Sequence, residues 1–294
     1  MAEQKKILVT GANGQLGMEL RDLASSFPAF EFLFVSREEL PLNNFAQLRE
    51  FFKTNQFDYC INCAAYTKVD AAESNKEEAY LVNAEAVSVI ADLCNQYHSQ
   101  LIHISTDYVF NGDAEKPYRE DSPTNPINYY GASKLDGEQY AIEKNPGSII
   151  IRTSWVYSSY GNNFVKTMMR LMKERNELNV VNDQIGSPTY AADLAECVLQ
   201  IVSKIDEGAK ETAGIYNFSN VGVISWYDFA IEIKFLTGSE CNINPISTSQ
   251  YPTPAKRPAF SVLDKGKIQE TFDIKLKPWK ESLAVCLHKI SLKE

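Results

Sequence analysis

No apolar run in this sequence approaches the roughly 20 residues that cross a bilayer. Met1–Lys6 passes directly into an apolar segment, without the core or cleavage site of a leader peptide. The expectation is a cytoplasmic chain with no membrane partner. A basic excess is missing too: 29 Lys and Arg face 38 Asp and Glu, for a net charge of -9. That argues against a nucleic-acid partner, which needs a basic face to neutralise phosphates. It does not argue against a small anionic ligand, for which a few local cations suffice. A metal site is equally hard to assemble. Cys60 and Cys63 have zinc or redox spacing, but they lie in an apolar strand-like run, where residues three apart point to opposite faces. No second such pair completes a site, and His98, His103 and His288 stand apart. The six cysteines therefore read as structural thiols, and no metal is expected. Internal repeats, low-complexity tracts and Gly/Ser linkers are absent as well, so the chain should form one body.

What is present is a soluble globular composition, 44% hydrophobic and 23% charged, in a chain of 294 residues, long enough for a large core. Residues 1–155 alternate strand and helix patterns. Strand-like runs occur at 6–10, 30–35, 59–63, 100–105 and 148–152, with helical patterns from about Gly14, at 44–55, at about 76–97 and after Asn128. Such alternation predicts an α/β, Rossmann-like doubly wound parallel sheet, with ligands at the carboxyl ends of its strands. Beyond Trp155 the rhythm changes to helices at 162–175, 190–204 and 225–237 with short strands between. Residues 156–294 thus read mainly as a smaller α/β substrate lobe, with segments able to cross back to the dinucleotide-binding domain.

Two motifs carry chemistry. Gly11, Gly14 and Gly17 directly follow the first strand, and a turn of this kind lets N–H groups at a helix start approach a pyrophosphate. Asn13, Gln15 and Leu16 belong to the same cofactor-binding turn. The second strand ends in Ser36 and Arg37, with no carboxylate before Glu38. Arg37 can stack on adenine or pair with a 2′-phosphate, which favours NADPH over NADH; a solvated surface arginine is the competing reading. Tyr130 and Lys134 are four apart on one helical face, where the ammonium can hold down the phenol's pKa and reach the nicotinamide ribose. Thr106, at the end of the strand 100–105, can donate to a substrate carbonyl oxygen while Tyr130 delivers the proton. Asn83 is placed to steady a water or a backbone kink near Lys134, or simply to occupy a helix face.

The glycine turn with Tyr130-Gly131-Ala132-Ser133-Lys134 resembles the extended short-chain dehydrogenase/reductases. Within them, several segments are similar to the dTDP-4-dehydrorhamnose reductase family: 62–70, 105–110, Arg152–Tyr157, Gly161–Phe164, Asn182–Thr189 and Tyr251–Pro258. This resemblance spans nearly the whole chain. It implies NAD(P)H-dependent reduction of the C4 keto group of a dTDP-6-deoxy-4-hexulose, giving dTDP-L-rhamnose. It also implies that Ala64, Ala65, Tyr66 and Thr67 line the cofactor, and that Thr106, Asp107, Tyr108, Trp155 and Asn163 meet the nucleotide-sugar substrate. Lys256 and Arg257 are candidates for the pyrophosphate of that substrate, because a guanidinium fork matches phosphate oxygens; a structural ion pair is the alternative for Arg257. Cys63 departs from the small alanine usual at its place, and the segment after the second strand departs from the pattern beside the adenine. The family also implies a homodimer and, in some members, Mg²⁺, for which no motif is evident here. Two other readings stay open: a related dTDP-deoxysugar 4-ketoreductase, and a non-catalytic NADP-binding regulatory subunit.

Overall fold

The fold was determined as a computed structural model, which describes residues 4–293. The chain runs through β1 (Lys5–Thr10), α1 (Gln15–Leu23), β2 (Phe30–Val35), α2 (Phe45–Thr54), β3 (Tyr59–Asn62), α3 (Val69–Ala72), α4 (Lys76–Tyr80), α5 (Ala86–Gln96), β4 (Gln100–Thr106), α6 (Tyr129–Lys144) and β5 (Ile149–Thr153). It continues through β6 (Val156–Tyr157), α7 (Phe164–Glu174), β7 (Glu177–Val181), β8 (Ile185–Gly186), β9 (Thr189–Tyr190), α8 (Ala191–Asp206), β10 (Gly214–Phe218), β11 (Ile224–Ser225), α9 (Trp226–Thr237), β12 (Asn242–Ile246), α10 (Gly266–Phe272) and α11 (Trp279–Ser291). Six strands form one parallel sheet in the order β10-β5-β4-β3-β1-β2. The order reverses beside β1, which opens the crevice expected in a doubly wound sheet.

Successive strand residues feed opposite layers, as a period of two requires. Ile7, Val9, Ile61, Ile102, Ile149 and Ile151 join one core with α1, α8 and α10. Leu8, Cys60, Leu101 and Ile150 join the other with α2 and α5. Both faces being covered explains why these strands read as continuous apolar runs. Cys60 and Cys63 fall in opposite cores and are free thiols. The third core is the lobe built by α7, α9, α11 and the short strand pairs β7–β12 and β6–β9. Strand β10 and helix α8, though late in sequence, belong to the main sheet and its cover. No helix among the described residues is long and apolar enough to cross a membrane.

One long helix was expected over 76–97, and the structure corrects it. Between α4 and α5 the segment Leu81–Glu85 winds as a π-helix. Asn83 explains the bulge: its Oδ1 accepts from Tyr66 N at 2.8 Å, and its Nδ2 donates to Tyr66 O at 3.1 Å and Ser133 Oγ at 3.0 Å. The widened turn pushes the Asn83 carbonyl toward α6, where a Cβ on Gly137 would lie 2.0 Å from it. Glycines at 131 and 137 thus let α6 settle against its neighbours, since a Cβ on Gly131 would lie 2.1 Å from Tyr108 O. That seating places Tyr130 and Lys134.

Candidate active site

A cleft of about 850 Å³ opens at the carboxyl ends of β1, β2, β3 and β4. Of the residues expected to bind cofactor, Gly11, Asn13, Gly14, Gln15, Leu16, Ser36, Arg37, Ala64, Ala65, Tyr66, Thr67, Tyr130 and Lys134 all line it. Gly11 has φ +68, and a Cβ there would meet Ala64 N at 2.7 Å, so the turn lies hard against the end of β3. No side chain caps the first N–H groups of α1. These groups stay open to a ligand, and with the helix dipole they fit a dinucleotide pyrophosphate. Gly17 does not line the cleft. A Cβ there would be 2.5 Å from Gly11 O, so it serves the packing of helix on turn.

At the end of β2, Glu39 folds back so that Oε2 accepts from Ser36 N at 2.7 Å. That bond, with the Ser36 hydroxyl, holds the Glu39 carboxyl below its usual range. Arg37 extends from the same corner and pairs with Glu78 at 3.0 Å, its side chain 75% exposed. Glu38, absent from the candidates above, also lines the cleft.

The chemistry converges where β4 ends. Thr106 Oγ1 accepts from Tyr108 N at 3.2 Å and donates to Asp107 Oδ1 at 2.9 Å. Asp107 Oδ2 is buried and makes no well-aligned hydrogen bond, although the Ser261 hydroxyl stands close enough to favour the charged carboxyl. Burial raises the Asp107 carboxyl to about 7, against the pull of the Thr106 hydroxyl. Tyr130 is buried beside them, its ring edge-on to Tyr108 at 5.6 Å.

Here the structure corrects one expectation. Tyr130 is not held down by Lys134: burial pushes its phenol up to about 12, with the Thr106 hydroxyl opposing and Asp107 adding to the rise. The ammonium points elsewhere, with Nζ donating to Ile104 O at 2.7 Å and lying 3.2 Å from His103 Nε2. Burial in turn brings Lys134 down to about 8, against the Glu138 charge one turn along α6. Glu138 is itself held by Arg152 Nη2 at 2.7 Å, with both side chains 2% exposed.

The substrate candidates divide. Thr106, Asp107, Tyr108 and Trp155 line the cleft; Asn163 and Arg257 do not. Asn163 is spent on architecture. Its Oδ1 caps α7 by accepting from Lys166 N at 3.1 Å, and its Nδ2 donates to Ser158 O and Gln15 Oε1. Arg257 is latched to Asp70 at 2.8 Å, and Asp70 also accepts from Ala255 N. The proline-fixed loop is thereby tied to α3, and the guanidinium is engaged as an ion pair. Trp155 adopts φ +48, a strained conformation for a non-glycine residue. Its indole stacks on Trp226 at 3.7 Å and packs against Gly186. Trp226 went unread in the sequence, where an aromatic at a helix start is indistinguishable from core. Among the described residues no cluster of His, Cys, Asp and Glu could hold a metal.

Residues 5–292 match the family described as the RmlD substrate binding domain. The chain is 43% identical over 285 residues to a dTDP-4-dehydrorhamnose reductase from Aggregatibacter actinomycetemcomitans, which covers 95% of this chain and 97% of the relative. It is also similar to two solved structures. One is a dTDP-4-dehydrorhamnose reductase from Clostridium acetobutylicum, with TM-score 0.91, 40% identity and 97% and 99% of the two chains covered. The other, from Bacillus anthracis, is in complex with NADP, with TM-score 0.92, 37% identity and 98% and 100% covered.

Proposed function

The chain belongs to the RmlD family, whose curated relatives include dTDP-4-dehydrorhamnose reductases, and on that premise we propose that it reduces the C4 keto group of dTDP-4-dehydro-L-rhamnose to dTDP-L-rhamnose with NADPH. The observation that carries this reading is that Thr106, Tyr130 and Lys134 line the same cleft as the Gly11–Gly14 turn. The α1 terminus would hold the pyrophosphate, Ser36 and Arg37 the adenosine phosphate, and residues 64–67 the ribose side. When bound, the dihydronicotinamide supplies the hydride for the carbonyl carbon. Tyr130, protonated near neutrality, would give its proton to the carbonyl oxygen, and the Thr106 hydroxyl, turning its one hydrogen away from Asp107 Oδ1, would donate to the same oxygen. Lys134 keeps a positive charge beneath them. Asp107 Oδ2, lacking a well-aligned hydrogen bond, would accept from a sugar hydroxyl, and the rim of Trp155 would meet the apolar face of the deoxysugar. Residues 1–155 with α8 and β10 would then be the cofactor half, and the rest the substrate half.

The test is NADPH oxidation with enzymatically generated dTDP-4-dehydro-L-rhamnose, with and without Mg²⁺, on protein whose mass in solution is measured to read the homodimer. Oxidation to a product co-eluting with dTDP-L-rhamnose is expected. Tight NADPH binding with no oxidation would refute the assignment and leave another ketosugar or a regulatory role.

Arg37 gives a sharper test of the cofactor. Its ion pair with Glu78 is exposed, and such pairs contribute at most about 1 kcal/mol. A 2′-phosphate would therefore win the guanidinium easily. Arg37→Ala is expected to weaken NADPH binding about tenfold, from the loss of a charge-assisted bond, while barely changing NADH. Equal losses for both in titration calorimetry would remove Arg37 from phosphate recognition.

A further inference from the structure

We propose that His103, held in place by Asn62 and Thr10, is a positioning residue for Lys134: its Nε2 fixes the ammonium and sets the pH above which the site stops working. The inference rests on the reductase reading above and adds residues to it.

The parallel register builds the device. Thr10 pairs with Asn62, and Asn62 with His103, so three polar residues stand at one level on neighbouring strands. All three face the layer that carries α6, since each lies two residues from Leu8, Cys60 or Leu101 of that core. Thr10 Oγ1 donates to Asn62 Oδ1 at 2.6 Å, and Asn62 Nδ2 lies 3.1 Å from His103 Nδ1. His103 Nε2 then lies 3.2 Å from Lys134 Nζ. Every member is at most 1% exposed. A four-residue polar chain in an apolar layer is costly unless each bond is made, and it tolerates few arrangements. It begins at the residue before Gly11 and ends on Lys134, so it joins the dinucleotide turn to the helix that carries Tyr130.

Hydrogen counting gives the chain a direction. An ammonium has only donors. With Lys134 charged, Nε2 must therefore accept, Nδ1 must carry the imidazole hydrogen, and the Asn62 amide must turn its oxygen to it. With Thr10 donating to Asn62 Oδ1 and Asn62 Nδ2 facing Nδ1, the hydrogen would sit on Nε2 and face an uncharged lysine; a half-turn of the Asn62 amide, which exchanges its oxygen and nitrogen in place, gives the order that the ammonium requires. The two orders differ by the charge on Lys134, so the chain and that charge are linked. His103 stays neutral in both, because burial and the neighbouring Lys134 disfavour imidazolium. The other groups facing Lys134 are Glu138 and Tyr130 on its own helix, the Ile104 carbonyl from β4, and the Cys63 thiol at the end of β3, which burial keeps protonated. Glu138 is occupied by Arg152 and Ser105, so His103 is the side chain that bonds the ammonium directly.

An acceptor on a charged group favours the charged form, so removing it lowers that group's pKa. His103→Leu is expected to move the alkaline limb of kcat/KM down by about one pH unit, the size expected for one charge-assisted bond. NADPH affinity should be retained. His103→Gln, which can offer an oxygen to Nζ, should restore most of that shift. A loss of kcat uniform across pH, or a glutamine variant no better than leucine, would overturn the proposal. A second readout needs neither substitution to fold nor any turnover. The ¹⁵N shifts of wild-type His103 near neutral pH, assigned by contacts to Lys134, should report a neutral ring with its hydrogen on Nδ1. An imidazolium, or a hydrogen on Nε2, would overturn it. Failure of the ketosugar to turn over would instead strike the assigned reaction and leave the tautomer result standing.

Discussion

Tyr130→Phe is expected to lower kcat by about 10²- to 10⁴-fold, the usual contribution of a positioned proton donor. Cofactor affinity should survive. The phenolic hydroxyl is the only group removed, and the ring keeps its edge-on contact with Tyr108 at 5.6 Å. The direction of the pKa matters for the argument. Burial raises Tyr130 to about 12, so the phenol is an acid throughout the neutral range and cannot serve as a base there. Lys134, brought down by burial to about 8, titrates first. As pH rises through that value the ammonium is lost, and reduction should slow well before the tyrosine ionises. Single-turnover oxidation of NADPH at several pH values checks both statements. An undiminished kcat in the phenylalanine variant would remove Tyr130 from the reaction.

The fold was largely legible because its signals are local. Alternating apolar runs and helical periods placed the strands read in residues 1–155 within a residue or so at each end, and the helical pattern at 44–55 became α2, capped by Asn44 accepting from Gln47 N. The glycine turn and the Tyr130–Lys134 pair were legible for the same reason: spacing along one element is visible in sequence. What escaped reading depends on register between elements. His103 looked like an isolated histidine, because its partner Asn62 lies 41 positions before it and Thr10, the partner of Asn62, a further 52. The π-helical turn at Leu81–Glu85 lay inside one expected helix in which Asn83 was only a candidate to steady a kink, since nothing local announces that it will bond the Tyr66 backbone. Asn163 and Arg257 sit in segments typical of the family, yet their polar atoms are consumed by a helix cap and an ion pair. Motif membership marks a segment, while the hydrogen-bond inventory decides which of its side chains remain free for a ligand.

The same inventory predicts the largest stability effect. Arg152→Leu is expected to destabilise the protein by about 3–5 kcal/mol, the cost of leaving one member of a buried ion pair alone. Arg152 Nε and Nη2 both bond the Glu138 carboxylate, Nη1 donates to Glu120 O at 3.2 Å, and the guanidinium lies over the Phe110 ring at 5.0 Å. Leucine replaces none of these bonds. Glu138 would keep only the Ser105 hydroxyl, inside a layer at 1% exposure. Thermal unfolding should fall by roughly 10 °C for a chain of this size. Adding Glu138→Leu should recover part of the loss, because the stranded charge rather than the missing attraction dominates the cost. A single variant within about 0.5 kcal/mol of wild type, as surface substitutions usually are, would mean that water or a shifted backbone already compensates Glu138. The pair also bears on the site. Glu138 is one turn from Lys134 on α6, so the double variant removes a charge that favours the ammonium. It should therefore regain stability while its alkaline limb moves to lower pH, separating the structural part of Glu138 from its electrostatic one.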